Sequence, residues 1–394
     1  MEGVMKKKIL ILSEAFGSGH TKAAEALAEG ILHEEPSIHI QIVEIGKILH
    51  PTTTSLILRS YQKLITKYPN VWKKLYQSKQ DRPIPCWLQF IIYQLFHRNI
   101  EQVLEQIKPH LVICTHPFSS STVSRLKKTK KNGYPVRLCT VITDFHAHRV
   151  WVQREVDLYI VSGDEVSRQL MHMGIPRNRI AAAGIPVKSD FSEKTSKQEA
   201  RTKLKLQNLP TVLVMGGGLG LGGLHELAHS LLKWKDSVQL LICAGYNDAL
   251  RLSLQHNELF QHPHIRVMGF VDIIDQLLDA ADLLITKPGG LTCFEALSKG
   301  VPMLIYQPIP GHEEYNCRYL VECQLAIRTN DVLEVDGWIG KLLYSPESFA
   351  SLHENMKQFQ QSMNSYAGVE SVLKLLNYSD VVEPFPIESV VEAT

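Results

Sequence analysis

The sequence predicts an α/β protein made of two doubly wound domains that face each other across a cleft. Short runs rich in Val, Ile and Leu alternate with helical patterns along the chain, as in parallel sheets covered by helices on both faces. The 394 residues, 44% of them hydrophobic, can bury more than one core. A polar, charged stretch also divides the strand runs into two series, which indicates two sheets.

The first series contains five candidate strands. They cover residues 8–12, 38–43, 111–115, 136–143 and 158–162. The second series begins at TVLVMGGG (residues 211–218) and continues with VQLLICAG, IRVMGFV, DLLITKPGG and PMLIYQPIPG. Each run is short and bounded by Gly, Pro or Asp, which is typical of buried parallel strands.

The domain boundaries follow from where the two series stop. We expect an N-terminal domain over residues 1–195, a hinge over 196–208, a second domain over 209–362, and a C-terminal helix and tail over 363–394. A hinge is expected there because the stretch around it is polar, charged and poor in aromatic residues, as inter-domain linkers are.

Composition excludes several classes of protein. The net charge is +2, so there is no global basic field of the kind that nucleic-acid-binding proteins use. The seven cysteines form no C-x-x-C pair and no metal-ligand spacing, which is typical of reduced thiols in a cytoplasmic protein. The N-terminal apolar run ends at Glu14 and is better interpreted as a strand than as a signal peptide. No stretch approaches the ~20 apolar residues that cross a bilayer.

One segment, residues 52–98, interrupts the alternation and is basic and aromatic. Between Arg59 and Arg98 it has eight Lys or Arg residues and a single acid, Asp81. An apolar stripe beside a cationic face favours a helix lying on an anionic membrane. The same pattern also fits an amphipathic helix packed on the sheet, or nucleic-acid binding through stacking and phosphate contacts.

The first glycine turn, Gly17-Ser18-Gly19-His20, joins a strand to a helix. Glycines let a ligand approach the backbone, and the helix start directs N–H groups and a positive dipole end toward it. His20 can exchange a proton near neutral pH, which makes it a candidate general base. The alternative is a histidine that caps its own helix or is hydrogen-bonded in the core.

The second domain opens with a glycine-rich turn, VLVMGGGLGLGG. Gly218-x-Gly220-x-x-Gly223 matches the dinucleotide fingerprint, but the next strand, VQLLICAGYN, ends without the acid that would hold a ribose. An NAD-type site is therefore disfavoured. This glycine-rich sequence fits better with a turn that approaches a phosphate, or with one that lets the two domains close on each other.

The strongest local signal is DLLITKPGGLTCFEALSKG. Lys287 and Gly289 follow a strand, and Gly290 precedes a helix that begins Leu291-Thr292, so a diphosphate could rest on that N-terminus. Glu295 lies one turn further on, within reach of ribose hydroxyls. A second polar turn, PGHEEYN, places three more candidates at the same sheet edge: His312, Glu313 and Asn316.

A third cluster follows the strand that ends near residue 143. Asp144, His146 and His148 lie in TDFHAHRVWV, and Asp144 should face the cleft near His20. Two histidines at i and i+2 suggest a metal, but no third ligand is evident and the chain has no D-x-D motif, so we expect no metal. Helix termini, hydroxyl and amide donors, and Lys287 would then stabilise a departing diphosphate.

Taken together, these motifs resemble one family over residues 8–345. They are GSGH, TDFHAHRVWV, GIPV, MGGGLG, GFVDIIDQLLDAADLLITKPGGLTCFEAL and PGHEEYN. The chain resembles the processive diacylglycerol glucosyltransferases of Gram-positive bacteria and the plant monogalactosyldiacylglycerol synthases. Both are inverting glycosyltransferases of the GT-B fold, which has two Rossmann-like domains, and both are related to the peptidoglycan enzyme that adds N-acetylglucosamine to a lipid.

The resemblance implies a cytoplasmic enzyme, peripherally bound to the inner face of the membrane, that moves a hexose from a UDP-sugar to a lipid hydroxyl. It implies no cofactor and no metal. In this sequence His20 and Asp144 would lie on the acceptor side and residues 52–98 on the anionic membrane. On the donor side Gly217 and Gly218 would approach the diphosphate, Phe270 the uracil, Glu295 the ribose, and Glu313 and Asn316 the sugar.

The close glucosyltransferases have Gln where this chain has His312, which leaves the identity of the sugar open. We expect His20, rather than Asp144, to act as the base in a single in-line displacement; Asp144 could instead orient His20 and stabilise its charged form. Two alternative functions remain. One is a UDP-sugar epimerase of the same fold, and the other is a non-catalytic UDP-sugar sensor.

Overall fold

The structure is a computed structural model, and it describes residues 6–14, 18–44, 100–129, 136–364 and 366–377. The basic, aromatic segment over residues 52–98 lies outside the described residues, as does Gly17 of the first glycine turn. The prediction of a membrane-facing surface therefore stays a prediction.

The first sheet has six parallel strands. They are β1 (Lys8–Ser13), β2 (His39–Glu44), β3 (Leu111–Cys114), β4 (Arg137–Val141), β5 (Leu158–Val161) and β6 (Ile180–Ala182). Their spatial order is β2-β1-β3-β4-β5-β6. The chain thus winds outward in both directions from β1, and the reversal point lies between β1 and β3.

The second sheet also has six parallel strands. They are β7 (Thr211–Met215), β8 (Gln239–Cys243), β9 (Ile265–Met268), β10 (Leu283–Thr286), β11 (Met303–Tyr306) and β12 (Ile327–Thr329). Their order, β12-β11-β10-β7-β8-β9, is that of a dinucleotide-binding domain, with its reversal point between β7 and β10.

Helices cover both sheets. The labelled ones are α1 (Ser18–Glu34), α2 (Pro117–Thr129), α3 (Asp164–His172), α4 (Lys197–Lys203), α5 (Leu224–Leu231), α6 (Asp248–Gln255), α7 (Ile274–Ala280), α8 (Gly290–Lys299), α9 (His312–Glu322), α10 (Val332–Tyr344), α11 (Ala350–Ser362) and α12 (Ala367–Asn377). Within the described ranges, no helix is both long enough and apolar enough to cross a bilayer.

The cores explain why the strand sequences are apolar without alternation. Ile9, Leu10 and Ile11 of β1 are all fully buried, because helices cover both faces of the sheet. The core of the second domain continues across the cleft, since it includes Ala23 of α1 and Phe145. The predicted fold class, two doubly wound α/β domains facing across a cleft, is confirmed.

Two strands differ from the sequence expectation. The edge strands β6 and β12 were not predicted, because each has only three residues. The predicted hinge, residues 196–208, contains α4, and Arg201 on this helix is buried and pairs with Asp282 at 2.5 Å. The polar stretch is therefore packed against the second domain.

The chain returns to its first domain at the C-terminal end of the described residues. Val369, Val372 and Leu376 of α12 lie in the same core cluster as Ile9 and Ile11 of β1. The last helix thus stabilises the N-terminal sheet.

Candidate active site

The two reversal points face each other. The residues after β1 and β3 lie on one side of the cleft, and the turns after β7 and β10 lie on the other. A Cβ atom built on Gly218 would overlap the side chain of Ser18, and one built on Gly290 would overlap the backbone carbonyl of Thr143. Parallel α/β sheets bind ligands at such positions, so the candidate site lies where the domains touch.

His20 lies in the first turn of α1, half-buried on the N-terminal side of the cleft. Its Nδ1 atom lies 3.0 Å from the Thr143 hydroxyl. Its ring packs edge-on against His116, with 4.9 Å between ring centroids, and lies 6.5 Å from Trp151. The ring is therefore oriented by contacts from the ends of β3 and β4.

The electrostatic surroundings keep His20 suited to accept a proton. Burial lowers the pKa of His20, and the negative charge of Asp144 offsets part of this effect. A hydrogen bond with the Thr115 backbone also raises the pKa of His20, and His312, across the cleft, lowers it. Burial also lowers the pKa of His116 far below its ordinary value. A neutral imidazole at physiological pH is the form that a general base needs.

Asp144 is held from the second domain. Asn316 on α9 is fully buried, and its Nδ2 donates to Asp144 Oδ1 at 2.9 Å and to the Pro288 carbonyl at 3.1 Å. Its Oδ1 accepts a hydrogen bond from the Phe145 backbone N–H at 2.9 Å. Asn316 therefore joins the end of β4 to the turn after β10, and its side chain is occupied by protein partners.

The glycine turn after β7 lies against Lys287. Gly217 has φ of +66°, and a Cβ atom there would lie 2.9 Å from Lys287 Cε. Any larger residue at Gly217 would therefore be strained and would displace the lysine. Lys287 Nζ pairs with Glu313, which is 1% exposed and also accepts a hydrogen bond from the Ile309 backbone N–H at 2.8 Å.

Helix α8 begins directly at the cleft. Gly289 precedes it and Gly290 is its first residue, in contact with the Thr143 carbonyl. Leu291 contacts the first domain too, because a Cβ atom on Gly19 would lie 3.6 Å from its Cβ atom. Thr292 is half-buried in the first turn of the helix. This N-terminus supplies the unpaired N–H groups that an anion needs.

Glu295 lies on the second turn of α8, half-buried. Burial raises the pKa of Glu295 to about 8; the positive charge of Lys22 lowers it in part, and the negative charge of Asp275 adds to the rise. The Glu295 carboxyl group therefore lies on the side of the second domain that faces Lys22 of α1.

The remaining end of the cleft is aromatic. Phe270 stacks on Tyr246 with 4.3 Å between centroids, and the Tyr246 ring is 63% exposed. Lys22 of α1 reaches across the cleft, where its Nζ lies 5.6 Å from the Phe270 ring centre and 3.1 Å from Asp272 Oδ1. These contacts form a flat, partly exposed platform next to Glu295.

The structure thus gathers the predicted residues into two neighbouring groups. His20, Asp144, Asn316, Gly218, Gly290 and His312 surround the contact between the domains, and Lys287 and Glu313 lie directly behind the glycine turn. Phe270 and Glu295 lie toward Lys22 at the other end. The side chains of Glu313 and Asn316, expected to hold a sugar, are engaged within the protein, so that role stays a prediction.

Sequence reasoning missed four residues of the site. They are Thr143, His116, Lys22 and Tyr246. Their positions at strand or helix ends were available, but their partners depend on strand order. In the described part of the chain, no three His, Cys, Asp or Glu side chains are grouped closely enough to hold a metal ion.

Comparison with known proteins agrees over both domains. A family model for monogalactosyldiacylglycerol (MGDG) synthase matches residues 20–187, and one for the C-terminal domain of glycosyltransferase family 28 matches residues 211–372. A processive diacylglycerol beta-glucosyltransferase of Bacillus thuringiensis is 30% identical over 394 residues, covering 98% of each chain. One from Bacillus cereus is 31% identical over 360 residues, covering 90% of each.

Solved structures share the fold. Acinetobacter baumannii MurG aligns with a TM-score of 0.56 at 15% identity, covering 94% of this chain and 99% of its own. The Anabaena HepE protein, solved in complex with UDP and glucose, gives the same values.

Two doubly wound domains, whose reversal points meet at a histidine, a glycine turn and the N-terminus of α8, are the arrangement of a glycosyltransferase of the GT-B class. Both family models and the fold of the solved neighbours agree with that class. At 30% identity over nearly the whole of each sequence, the chain belongs to the processive diacylglycerol beta-glucosyltransferase family. The resemblance expected from the motifs is confirmed.

Proposed function

We propose that this protein transfers a glucosyl residue from UDP-glucose to a hydroxyl group of a diacylglycerol lipid, with inversion at the anomeric carbon. The relatives at 30% and 31% identity are named as processive diacylglycerol beta-glucosyltransferases, which supports the sugar and the acceptor. The observation that carries the proposal is the meeting of His20 and the N-terminus of α8 across the cleft, through Thr143 and Gly290. A proton acceptor and an anion site are what this displacement requires.

The reaction is a single in-line displacement. The acceptor hydroxyl attacks the anomeric carbon, His20 takes its proton, and the new C–O bond forms. The bond from the anomeric carbon to the diphosphate oxygen breaks, and its electron pair leaves with UDP. The lowered pKa of His20 keeps the ring neutral before the attack, and the charge of Asp144 stabilises the imidazolium that results.

The departing diphosphate is stabilised without a metal in this proposal. The N–H groups at the start of α8 and the dipole of that helix face the cleft, and the half-buried turn at Gly217 has no side chain to keep a phosphate from its backbone. Lys287 lies behind that turn, where its ammonium group is balanced by buried Glu313. The reaction should therefore continue when divalent metals are chelated.

The nucleoside lies on the aromatic platform in this proposal. Phe270 and Tyr246 supply a ring surface of the kind on which a uracil stacks, and Glu295 lies beside it for the ribose hydroxyls. His312 approaches His20 from the donor domain and is the candidate for choosing the sugar.

The acceptor lipid is proposed to reach the site from the cytoplasmic face of the membrane. In this proposal the eight cationic side chains of residues 52–98, and the aromatic side chains between them, bind the membrane. Vesicles with and without anionic lipid test it by co-sedimentation.

The function is tested by incubating the protein with radiolabelled UDP-glucose, UDP-galactose or UDP-N-acetylglucosamine and diacylglycerol vesicles, with and without EDTA. Label should enter the organic phase from UDP-glucose in both conditions. Interconversion of UDP-sugars without lipid labelling would indicate the epimerase. Tight UDP-sugar binding without any product would indicate the sensor.

The role of His20 is tested by replacement. His20→Ala should lower turnover at saturating donor by about 10²- to 10⁴-fold, the usual contribution of a general base, while UDP binding stays unchanged. Asp144→Asn is the companion variant for the alternative base. If His20→Ala retains near-normal turnover, the assignment of the base is wrong.

A further inference from the structure

The two neighbouring residues after β4 direct their side chains to different partners. The Thr143 hydroxyl lies 3.0 Å from Nδ1 of His20, within the first domain. The Asp144 carboxylate accepts a hydrogen bond from Asn316, in the second domain, at 2.9 Å. One oxygen of the carboxylate expected to orient the histidine is therefore bonded to the other domain, whereas its neighbour makes a side-chain contact with the ring, beside a hydrogen bond of the ring with the Thr115 backbone.

Thr143 is well placed for that task. It lies beyond the end of β4, it is 6% exposed, and its backbone carbonyl is in contact with Gly290 at the start of α8. A buried side chain fixed between two elements holds its hydroxyl in one position. A β-branched residue such as threonine also has few side-chain rotamers to lose.

We propose that Thr143 is the positioning residue of His20, and that Asp144 acts on the ring only through its charge. The proposal rests on the proposed transfer reaction. The Thr143 oxygen accepts a hydrogen bond from Nδ1–H of the neutral ring, which leaves Nε2 as the atom that takes the proton of the acceptor hydroxyl. Without Thr143 the ring keeps only the Thr115 backbone and the His116 ring as partners, so it can change tautomer or rotate, and a part of the protein then presents N–H to the acceptor.

The decisive kinetic variants are Thr143→Val, which keeps the shape and removes the hydroxyl, and Thr143→Ser, which keeps the hydroxyl. Thr143→Val should lower kcat by about 10- to 100-fold, a part of the ~10²- to 10⁴-fold contribution of a general base, and leave the KM for UDP-glucose unchanged. Thr143→Ser should restore most of kcat. A merely structural role would affect both variants through stability and would not separate kcat from KM.

Thr140→Val is the matched control. Thr140 lies on β4 itself, is fully buried, and its hydroxyl lies 2.7 Å from that of Ser120, away from His20. The control removes a buried hydroxyl from the same strand and should leave kcat within about twofold of the parent protein.

Nitrogen-15 NMR of His20 tests the contact without the reaction. In the unmodified protein the shifts should identify Nδ1 as the protonated nitrogen, and in Thr143→Val they should shift toward a mixture of tautomers. Asp144→Asn should leave the tautomer unchanged. If the protein transfers no sugar, the proposed function fails while these spectra still decide the contact.

Two results would overturn the proposal. One is a Thr143→Val protein with unchanged kcat and an unchanged His20 tautomer. The other is a tautomer that changes in Asp144→Asn and not in Thr143→Val, which would return the orienting role to the carboxylate.

Discussion

Glu295 should make the binding of UDP-glucose dependent on pH. Burial raises the pKa of Glu295 to about 8, against the opposing charge of Lys22. If the carboxylate form accepts hydrogen bonds from the ribose hydroxyls, the donor binds the ionised protein and binding releases a proton. Affinity should then increase as the pH rises from 7 to 9.

The magnitude follows from the fraction ionised. With a pKa of about 8, roughly one molecule in ten carries the carboxylate at pH 7, and nearly all carry it at pH 9. The apparent Kd is the intrinsic value divided by that fraction, so it should fall by about tenfold, or ~1.4 kcal/mol, across this interval. Above pH 9 the affinity should become constant.

Two variants separate the carboxyl group from other titrating groups. Glu295→Gln should bind donor weakly with no dependence on pH in this interval. Lys22→Met removes the positive charge that lowers the pKa of Glu295, so its affinity curve should move to higher pH. UDP-glucose is a better probe than UDP, because UDP has a terminal phosphate group with a pKa of about 6 whose own titration would add to the pH dependence.

Isothermal titration calorimetry at pH 7, 8 and 9, in two buffers with different heats of ionisation, measures affinity and proton release together. The expected release is close to one proton at pH 7 and close to none at pH 9. A flat profile in the unmodified protein, or the same slope in Glu295→Gln, would refute the reasoning.

Three further changes test the architecture of the site. Gly290→Ala places a methyl group against the Thr143 carbonyl, so it should hold the domains apart and raise the donor KM, whereas Ala at the open position Gly337 is the control. Lys287→Met leaves buried Glu313 without its partner and should lower the free energy of unfolding by about 3–5 kcal/mol; adding Glu313→Leu should restore stability but not transfer. Asn316→Ala leaves buried Phe145 and Pro288 and half-buried Asp144 without their hydrogen bonds and should cost about 2–4 kcal/mol by denaturant titration, a loss that Asn316→Leu should not repair.

The local parts of the fold were predictable because each depends on a short stretch of sequence. Buried strands such as β1 and β7 are continuous apolar runs, since both faces of the sheet are covered. The three-residue strand β12, sequence IRT, has no such run. It forms because β11 offers an edge with which it can pair, and that edge exists only in the folded sheet.

The candidate site was predictable only in part for the same reason. The turn bearing His20 and the start of α8 were visible in the sequence, because glycines at strand ends have a local meaning. The contact of His20 with Thr143 joins residues 123 positions apart, and that of Asn316 with Asp144 joins residues 172 apart. Such pairs depend on β1 lying near β4 and on how the domains meet, which no local pattern specifies.

The contacts between the domains also bring the proposed diphosphate site on α8 close to the proposed base, His20. The polar contacts differ in strength: the Lys22–Asp272 ion pair is exposed on the acid side, and such pairs contribute about 0–1 kcal/mol, whereas the hydrogen bonds of Asn316 come from a fully buried side chain. Phe145 adds an apolar contact, stacked 5.3 Å from Tyr319 between ring centroids. At the contact between the domains Gly290 meets the Thr143 carbonyl, so the helix that would hold the departing diphosphate lies against the residue that touches the base.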